Sequence, residues 1–349
     1  MNTRWTPERA NDWHNQLPWL VGCNYTPRTA VNQLEMWQAD TFDPATIDQE
    51  LGWASAIGFN CLRVYLHDLP WFDDRDGFVV RLARFLDMAS QHRLLTLFVL
   101  FDSCWQPRPK SGPQPAPTPG VHNSQWVQSP GIEVLADPAA FARREEYVTG
   151  LVSRFRADPR ILGWDVWNEP DNLNTSSIGA NDLASKSEII APYLGRAFAW
   201  ARAADPSQPL TCGVWNGDWS TDAALKPHER VQLDNSDVVS FHCYGPPDDM
   251  AARVAHLQRC GRPLLCTEYM ARGSGSTFES ILPVLKPSRV GAFNWGFAQG
   301  KIQTHLSWES WQKPVLDNEP PLWFHDVLRP DGAPYSQAEV DFIRKIKGA

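Results

Sequence analysis

No apolar stretch in the 349-residue chain approaches the roughly 20 residues needed to cross a bilayer. Met1 to Trp19 also lacks the basic-then-apolar order of a secretory leader. As it stands the chain reads as soluble and cytoplasmic; had a leader been removed, it would be periplasmic or secreted. Basic charge is scarce as well, with 32 Lys and Arg against 40 Asp and Glu, a net charge of −8, and no long Lys/Arg cluster. That leaves no electrostatic footprint for phosphate backbones, so a nucleic-acid partner is excluded, as is a membrane partner. There is no Gly-rich phosphate loop, and the nine His residues are scattered without the spacing of a metal site. The seven Cys residues are an odd number, and Cys23, Cys61, Cys212, Cys243 and Cys266 fall inside apolar runs. They read as reduced, structural thiols rather than a disulfide framework.

What the chain has in quantity is hydrophobic residues, at 43%, together with 17 Trp and 29 Pro. That composition excludes disorder and a coiled coil. Eight short apolar runs recur along it: Trp19–Asn24, Cys61–Leu66, Leu94–Phe101, Ile161–Trp167, Leu210–Trp215, Val238–Tyr244, Pro263–Glu268 and Val290–Trp295. Runs apolar on both faces are what a parallel sheet buried under helices requires, and every interval has room for a crossover helix. Phe78, Leu82, Phe85, Leu86 and Ala89 carry helical periodicity, and Asp43-Pro44 and Asp137-Pro138 read as capped helix starts. The expected fold is therefore a (β/α)8 TIM barrel in the α/β class, one domain over residues 1–349, with long loops after strands 3 and 8.

In such a barrel, chemistry sits at the carboxyl ends of the strands. The loop Ser103 to Asp137, with Trp105, His122 and Trp126 among its prolines, is expected to lie over that face. So is Gly296 to Pro334, with Trp308, Trp311 and Trp323. Two strands end in glutamates: Gly163-Trp164-Asp165-Val166-Trp167-Asn168-Glu169-Pro170 ends the fourth, and Leu264-Leu265-Cys266-Thr267-Glu268-Tyr269 the seventh. A carboxylate at a barrel mouth is rarely needed for packing, because burying it unpaired is costly. Two that face each other are the equipment for splitting an acetal, one protonating the leaving oxygen and the other attacking or guiding water.

With these landmarks the chain resembles the retaining glycoside hydrolases of clan A, the family 5-like (β/α)8 barrels that include cellulases, mannanases, β-mannosidases and β-galactosidases. The Trp-Asn-Glu-Pro segment carries most of the likeness. It implies that Glu169 is the general acid/base, Glu268 the nucleophile and Asn168 a sugar-binding amide. Arg63, His242, Tyr244 and Trp295 stand at the strand ends where that clan keeps its other landmarks. The likeness implies a retaining hydrolase of β-linked oligo- or polysaccharide, working by double displacement without a metal or nucleotide cofactor. A barrel that binds carbohydrate without turning it over is the alternative.

The residues add their own rationale. Arg63 and the Tyr244 hydroxyl would donate to Glu268 and keep it ionised, while Trp167 and the neighbouring carboxylate would favour a protonated Glu169. Trp295 has a flat face for a pyranose, and His242 would orient the acid/base or a sugar hydroxyl. Asn24, His67, Trp215 and Trp126 are further substrate-binding candidates at the mouth, and Asp102 stands there after the third run. Glu35, in Asn32-Gln33-Leu34-Glu35-Met36-Trp37, would bind the non-reducing sugar or else cap the first helix. With the Pro-rich loop, that segment would close the cleft into a pocket and make the enzyme exo-acting.

Overall fold

Eight parallel strands carry the architecture: β1 (Val21–Tyr25), β2 (Cys61–Tyr65), β3 (Leu95–Asp102), β4 (Ile161–Asn168), β5 (Leu210–Thr211), β6 (Val239–His242), β7 (Leu264–Tyr269) and β8 (Gly291–Asn294). The computed structural model describes residues 3–317 and 319–348. The sheet runs β5-β4-β3-β2-β1-β8-β7-β6, so β1 and β8 pair and the ring closes at the β5–β6 side. Closure there is a single parallel bridge, Val214 to Phe241, with His242 N donating to Val214 O at 3.0 Å. This is the (β/α)8 barrel expected from the eight apolar runs.

The fifth run is the one that departs most from its expected length. Only Leu210 and Thr211 are strand, because Cys212 N donates to the Ser236 hydroxyl at 3.1 Å instead of to a neighbouring strand. Helices fill each crossover, from Pro44–Ala56 after β1 to Phe278–Leu285 after β7, and Gln337–Lys347 follows β8. Asp43 accepts from Thr46 N and Asp137 from Ala139 N, which satisfies backbone donors that the first helical turn leaves open. Phe78, Leu82, Phe85, Leu86 and Ala89 are all buried on the helix Arg75–Gln91.

The far end of the barrel is plugged by an apolar layer of Cys61, Leu97, Leu162, Val238, Leu265 and Phe293, closed from below by Trp5, Ala10 and Leu20. Trp5 is tied there by its backbone N–H, which donates to Asp237 Oδ1 at 2.7 Å. The opposite, carboxyl-end face is therefore the open one. All seven cysteines are unpaired, and all but the half-buried Cys260 are buried. Among the described residues no helix is long and apolar enough to cross a membrane.

Candidate active site

Arg63 points into the barrel from β2, where an isolated guanidinium would be very costly to bury, and every nitrogen finds an oxygen. Its Nη2 reaches Asp165 Oδ2 at 2.8 Å and its Nη1 reaches Glu268 Oε1 at 2.8 Å. It also donates to Asn168 Oδ1 at 2.8 Å and Asn24 Oδ1 at 2.9 Å. One buried cation thus ties β1, β2, β4 and β7 together beneath the mouth. Arg63 does not line the cavity above; its place is behind the carboxylates, and so is that of Asn24, whose amide donates to Thr267 O and Asn294 O.

Glu268 ends up beside His242 because the β6–β7 register slips between Phe241 and His242, which skips Thr267. Its Oε1 accepts from Arg63 and from the Tyr65 hydroxyl at 2.8 Å, and its Oε2 accepts from the Tyr244 hydroxyl at 2.6 Å. Burial alone would raise the pKa of this carboxyl, but the charges of His242 and Arg63 and the two tyrosine hydroxyls outweigh it. Glu268 is held below its ordinary value, as an ion.

Glu169 follows β4 with a left-handed backbone, φ 43°, which turns its side chain back over the mouth. Its Oε1 meets His242 Nδ1 at 2.9 Å, and its Oε2 accepts from the Asn172 amide at 2.7 Å and contacts Cys104 Sγ at 3.3 Å. His242 Nδ1 is also 3.6 Å from Glu268 Oε2, so one ring nitrogen bridges the two carboxylates. One donor atom from each of Glu169, His242 and Glu268 lies within 4.8 Å of the others. Such a trio could hold a cation, yet the Arg63 charge against Glu268 opposes one, and carboxylate chemistry on an acetal needs none.

These groups open into a cavity of about 450 Å³ that Asn168, Glu169, His242, Tyr244, Glu268 and Trp295 help to line. Trp126 and Trp215 line it too, so most of the substrate-binding candidates do converge. Trp126 donates its indole N–H to Asp102 at 2.6 Å and sets its ring edge-on to Trp295, 5.9 Å between centroids. Trp215 is fixed at the other side by donating to Asp171 at 2.7 Å.

His67, Glu35 and Trp167 do not sit where their expected roles require. His67 is wholly buried, caps the helix Asp68–Asp73 and contacts Gln128 O at 3.0 Å, so no substrate reaches it. Glu35 follows neither alternative: Asn32 caps the helix Gln33–Trp37, and the Glu35 carboxylate accepts from Val31 N and pairs with Lys301 at 2.6 Å, bracing two loops away from the cavity. Trp167 packs outward on Phe101, 4.9 Å between centroids, and leaves Cys104 and Asn172 against Glu169.

The cluster around His67 is nonetheless a strong brace. Burial pushes the buried Asp68 carboxyl up, but His67, the Arg144 guanidinium at 2.8 Å and the Ser129 hydroxyl outweigh it and hold it at about 2. Because the folded value lies below the unfolded one, this stabilisation is complete above pH ~4 and is lost as pH falls toward 2. Asp68→Asn leaves Arg144 buried without its counter-charge, so denaturant unfolding at pH 7 should show a loss of about 3 kcal/mol. That loss should shrink in acid.

Tyr65, Cys104 and Asn172 are site residues that sequence reasoning missed. Tyr65 had a readable signal, since it stands two residues from Arg63 and shares its inward face. Cys104 and Asn172 carried none. Asp102 is where the sequence places it, a lone charge ending an apolar run like Glu268, but it is wholly buried and lines no part of the cavity.

The long loops supply the remaining wall. Trp105, His122 and Trp126 come from 103–137 and Trp308 from 296–334, and the loops are joined to each other. His122 N donates to Ser310 Oγ at 2.9 Å, Asn123 N to Ile302 O at 2.7 Å and Val315 N to Gly120 O at 2.9 Å. The His122 ring lies 2.9 Å by Nδ1 from Leu306 O, which makes Nδ1 the donor, and burial pushes its pKa down to about 4. A neutral Nε2 is then left as an acceptor.

Comparison with known proteins agrees with this architecture. The family model described as cellulase (glycosyl hydrolase family 5) matches residues 120–313. The probable mannan endo-1,4-beta-mannosidase C of Aspergillus terreus is 26% identical over 201 residues, 50% of this chain and 48% of that protein. The chain thus spans about half the length of the curated relative it matches. Among solved structures, a GH5_18 variant from Streptomyces cattleya in complex with Manb1-4GlcNAc is 17% identical with a TM-score of 0.61, covering 95% of this chain and 80% of that one. The exo-beta-1,4-mannosidase Op5Man5 of Opitutaceae bacterium strain TAV5 is 19% identical with a TM-score of 0.60, covering 94% and 60%. Those structures share the fold. The family model spans more than half of the chain, and on that match the protein belongs to glycosyl hydrolase family 5.

Proposed function

We propose that this protein is a retaining β-glycoside hydrolase that removes the non-reducing sugar from β-linked oligosaccharides. The observation that carries the reading is the close pairing of Glu169 and Glu268 around one nitrogen of His242, within 4.8 Å. Oxygens this near suit a retaining pair, whose carboxyl groups stand about 5–5.5 Å apart, better than an inverting pair, whose carboxyl groups leave about 6.5–9.5 Å for a water molecule. Glu268, kept ionised, attacks the anomeric carbon while Glu169 passes its proton to the leaving oxygen. Glu169, now a base, takes a proton from water, which displaces Glu268 and restores the original configuration. His242 bridges both carboxylates, so the charge each sheds or gains is felt by the other. The remaining N–H of the Asn168 amide faces the sugar 2-hydroxyl, a contact that strengthens toward the transition state.

Exo action rests on the joined loops. They contribute Trp105, His122 and Trp308 to the cavity lining, which also includes Trp215, Asn216 and Arg253 from outside those loops; in this reading the loops close the cavity behind the bound sugar and the other three residues receive the leaving group. Trp126 and Trp295 supply apolar faces for the bound sugar, and His122 Nε2 accepts from one of its hydroxyls. The names of the Aspergillus and Opitutaceae proteins make β-mannosides the first sugars to try.

The test is hydrolysis of aryl β-mannosides, glucosides, galactosides and xylosides, with a β-1,4-linked pentasaccharide of the best sugar followed over time. The expected result is a β-anomer released first, as seen by NMR, and monosaccharide as the earliest oligosaccharide product. An α-anomer released first would overturn double displacement, and early di- and trisaccharides would overturn exo action. Glycan binding without any turnover would favour the carbohydrate-binding alternative.

A further inference from the structure

We propose that Asp102, a wholly buried carboxylate that touches no substrate, is the positioning residue that fixes which atoms the sugar-binding subsite presents. The inference rests on the glycosidase reading above, since it concerns how that subsite reads a sugar.

Asp102 ends β3 directly opposite Asn168 in the β3–β4 register. Each of its oxygens accepts twice. Oδ1 accepts from the Asn168 amide at 3.0 Å and from Cys104 N at 3.0 Å. Oδ2 accepts from the Trp126 indole at 2.6 Å and from the Gln33 amide at 3.1 Å. Burial pushes this carboxyl up to about 7, against the pull of the Asn168 amide, the Cys104 N–H and the Trp126 indole; four donors converging on it leave no acceptor for a proton of its own, and above that value bonds to the ionised group are the stronger kind.

The consequence for Asn168 is a single allowed orientation. Its Oδ1 is taken by Arg63 at 2.8 Å and one of its N–H groups by Asp102. A flipped amide would turn N–H toward the guanidinium and oxygen toward the carboxylate, two repulsive contacts replacing two attractive ones. The amide's second N–H, held only by a long contact of 3.9 Å to Cys104 Sγ, is therefore the donor it presents to the cavity that both residues line. Through the indole N–H the same carboxylate sets the angle of Trp126, which lines that cavity with Trp295. Gln33, from the helix Gln33–Trp37, completes the set and also donates to Val127 O at 3.0 Å, so the long loop is anchored to the same point.

A carboxylate is required here, because an amide at the same position brings two hydrogens to face four donors. Asp102→Asn must leave either the Asn168 and Cys104 side or the Trp126 and Gln33 side without an acceptor.

The experiment compares an aryl β-glycoside with its 2-deoxy counterpart, for the wild type, Asp102→Asn and Asp102→Ser. The quantity read is the ratio of the two kcat/KM values, which measures what the 2-hydroxyl contributes. Asp102→Asn should lower kcat/KM on the parent glycoside by about 100-fold and shrink the ratio by about tenfold or more. Gln33→Ala removes a donor from Oδ2 only and should leave the ratio near that of the wild type. In the Asp102→Asn, Asn168→Ala double variant the ratio should fall no further than in Asn168→Ala alone. Equal losses on both substrates, with the ratio unchanged, would overturn the proposal, because a purely structural defect acts on both alike. The ratio is a property of the folded fraction, so partial misfolding of one variant does not alter it, and Asp102→Ser, which admits water, supplies the value if Asp102→Asn does not fold. If the wild type turns over neither glycoside, the hydrolase reading falls by itself. The same ratio is then taken from dissociation constants of the free sugar and its 2-deoxy form: a smaller ratio in Asp102→Asn supports the positioning role, and an unchanged one overturns it.

Discussion

Glu268→Gln should lower kcat by about 10⁴-fold or more, on the order of 5.5 kcal/mol of lost transition-state stabilisation, with the fold intact. The amide matches the carboxylate in shape but lacks the charge that attacks the anomeric carbon. Glu169→Gln should behave differently, and the contrast separates the two roles. An oligosaccharide leaving group needs a proton, so its release should fall by about 10²–10⁴-fold, the usual range for a positioned acid. An activated aryl group leaves without that help, so the first step survives. Only the second step, which needs Glu169 as base, is then slow, and a burst of aryl alcohol with accumulated glycosyl-enzyme should appear in rapid-mixing experiments. A Glu268→Gln protein that keeps a tenth of its activity would remove Glu268 from the mechanism.

Much of the barrel was legible because burial on both faces leaves a crude sequence signal. Seven of the eight apolar runs became strands of nearly the expected extent, and the fifth shrank where Ser236 captured a backbone N–H. The glutamates were legible for the same reason in reverse, as charges placed where apolar runs end. Arg63 and Tyr244, read as donors to Glu268, both contact it. What failed was the assumption that a polar residue just beyond a strand faces the cavity. Asp68 turns sideways into an ion pair with Arg144, His67 caps the helix beside it, and Glu35 serves loop packing. Side-chain direction after a strand is set by backbone turns such as the left-handed Glu169, and no periodicity records those. The long loops were readable as wall material from their tryptophans, but their mutual hydrogen bonds depend on backbone atoms that every sequence has.

Arg63→Met should be the most destabilising single change in the barrel interior, about 3–5 kcal/mol at neutral pH by denaturant unfolding. The thioether fills part of the space but leaves Asp165 Oδ2 and Glu268 Oε1 without their cation, Asn168 Oδ1 without its guanidinium donor, and Asn24 Oδ1 with only the longer contact from the Tyr65 hydroxyl. Burial already raises the Asp165 carboxyl, and Arg63 is foremost among the groups that pull it back. Without the guanidinium, Asp165 rises further above its unfolded value and Glu268 rises above its own. Below those values, near pH 4, each is protonated in either state and costs little; as pH rises toward 7, the folded chain must keep protons that the unfolded chain releases. The deficit relative to wild type should therefore deepen from pH 4.5 to 7.5. The kinetics move the same way: the acid limb of kcat/KM, set in the wild type by a Glu268 held below its ordinary value, should shift upward. Tyr244→Phe, which removes one hydroxyl from Glu268 and leaves Asp165 alone, should shift that limb upward with little loss of stability. Adding Asp165→Leu to Arg63→Met should return part of the stability, because removing both partners of a buried pair is milder than removing one. It should return none of the activity, since Glu268 still lacks its cation. Recovery of both together would mean that Arg63 serves the fold alone.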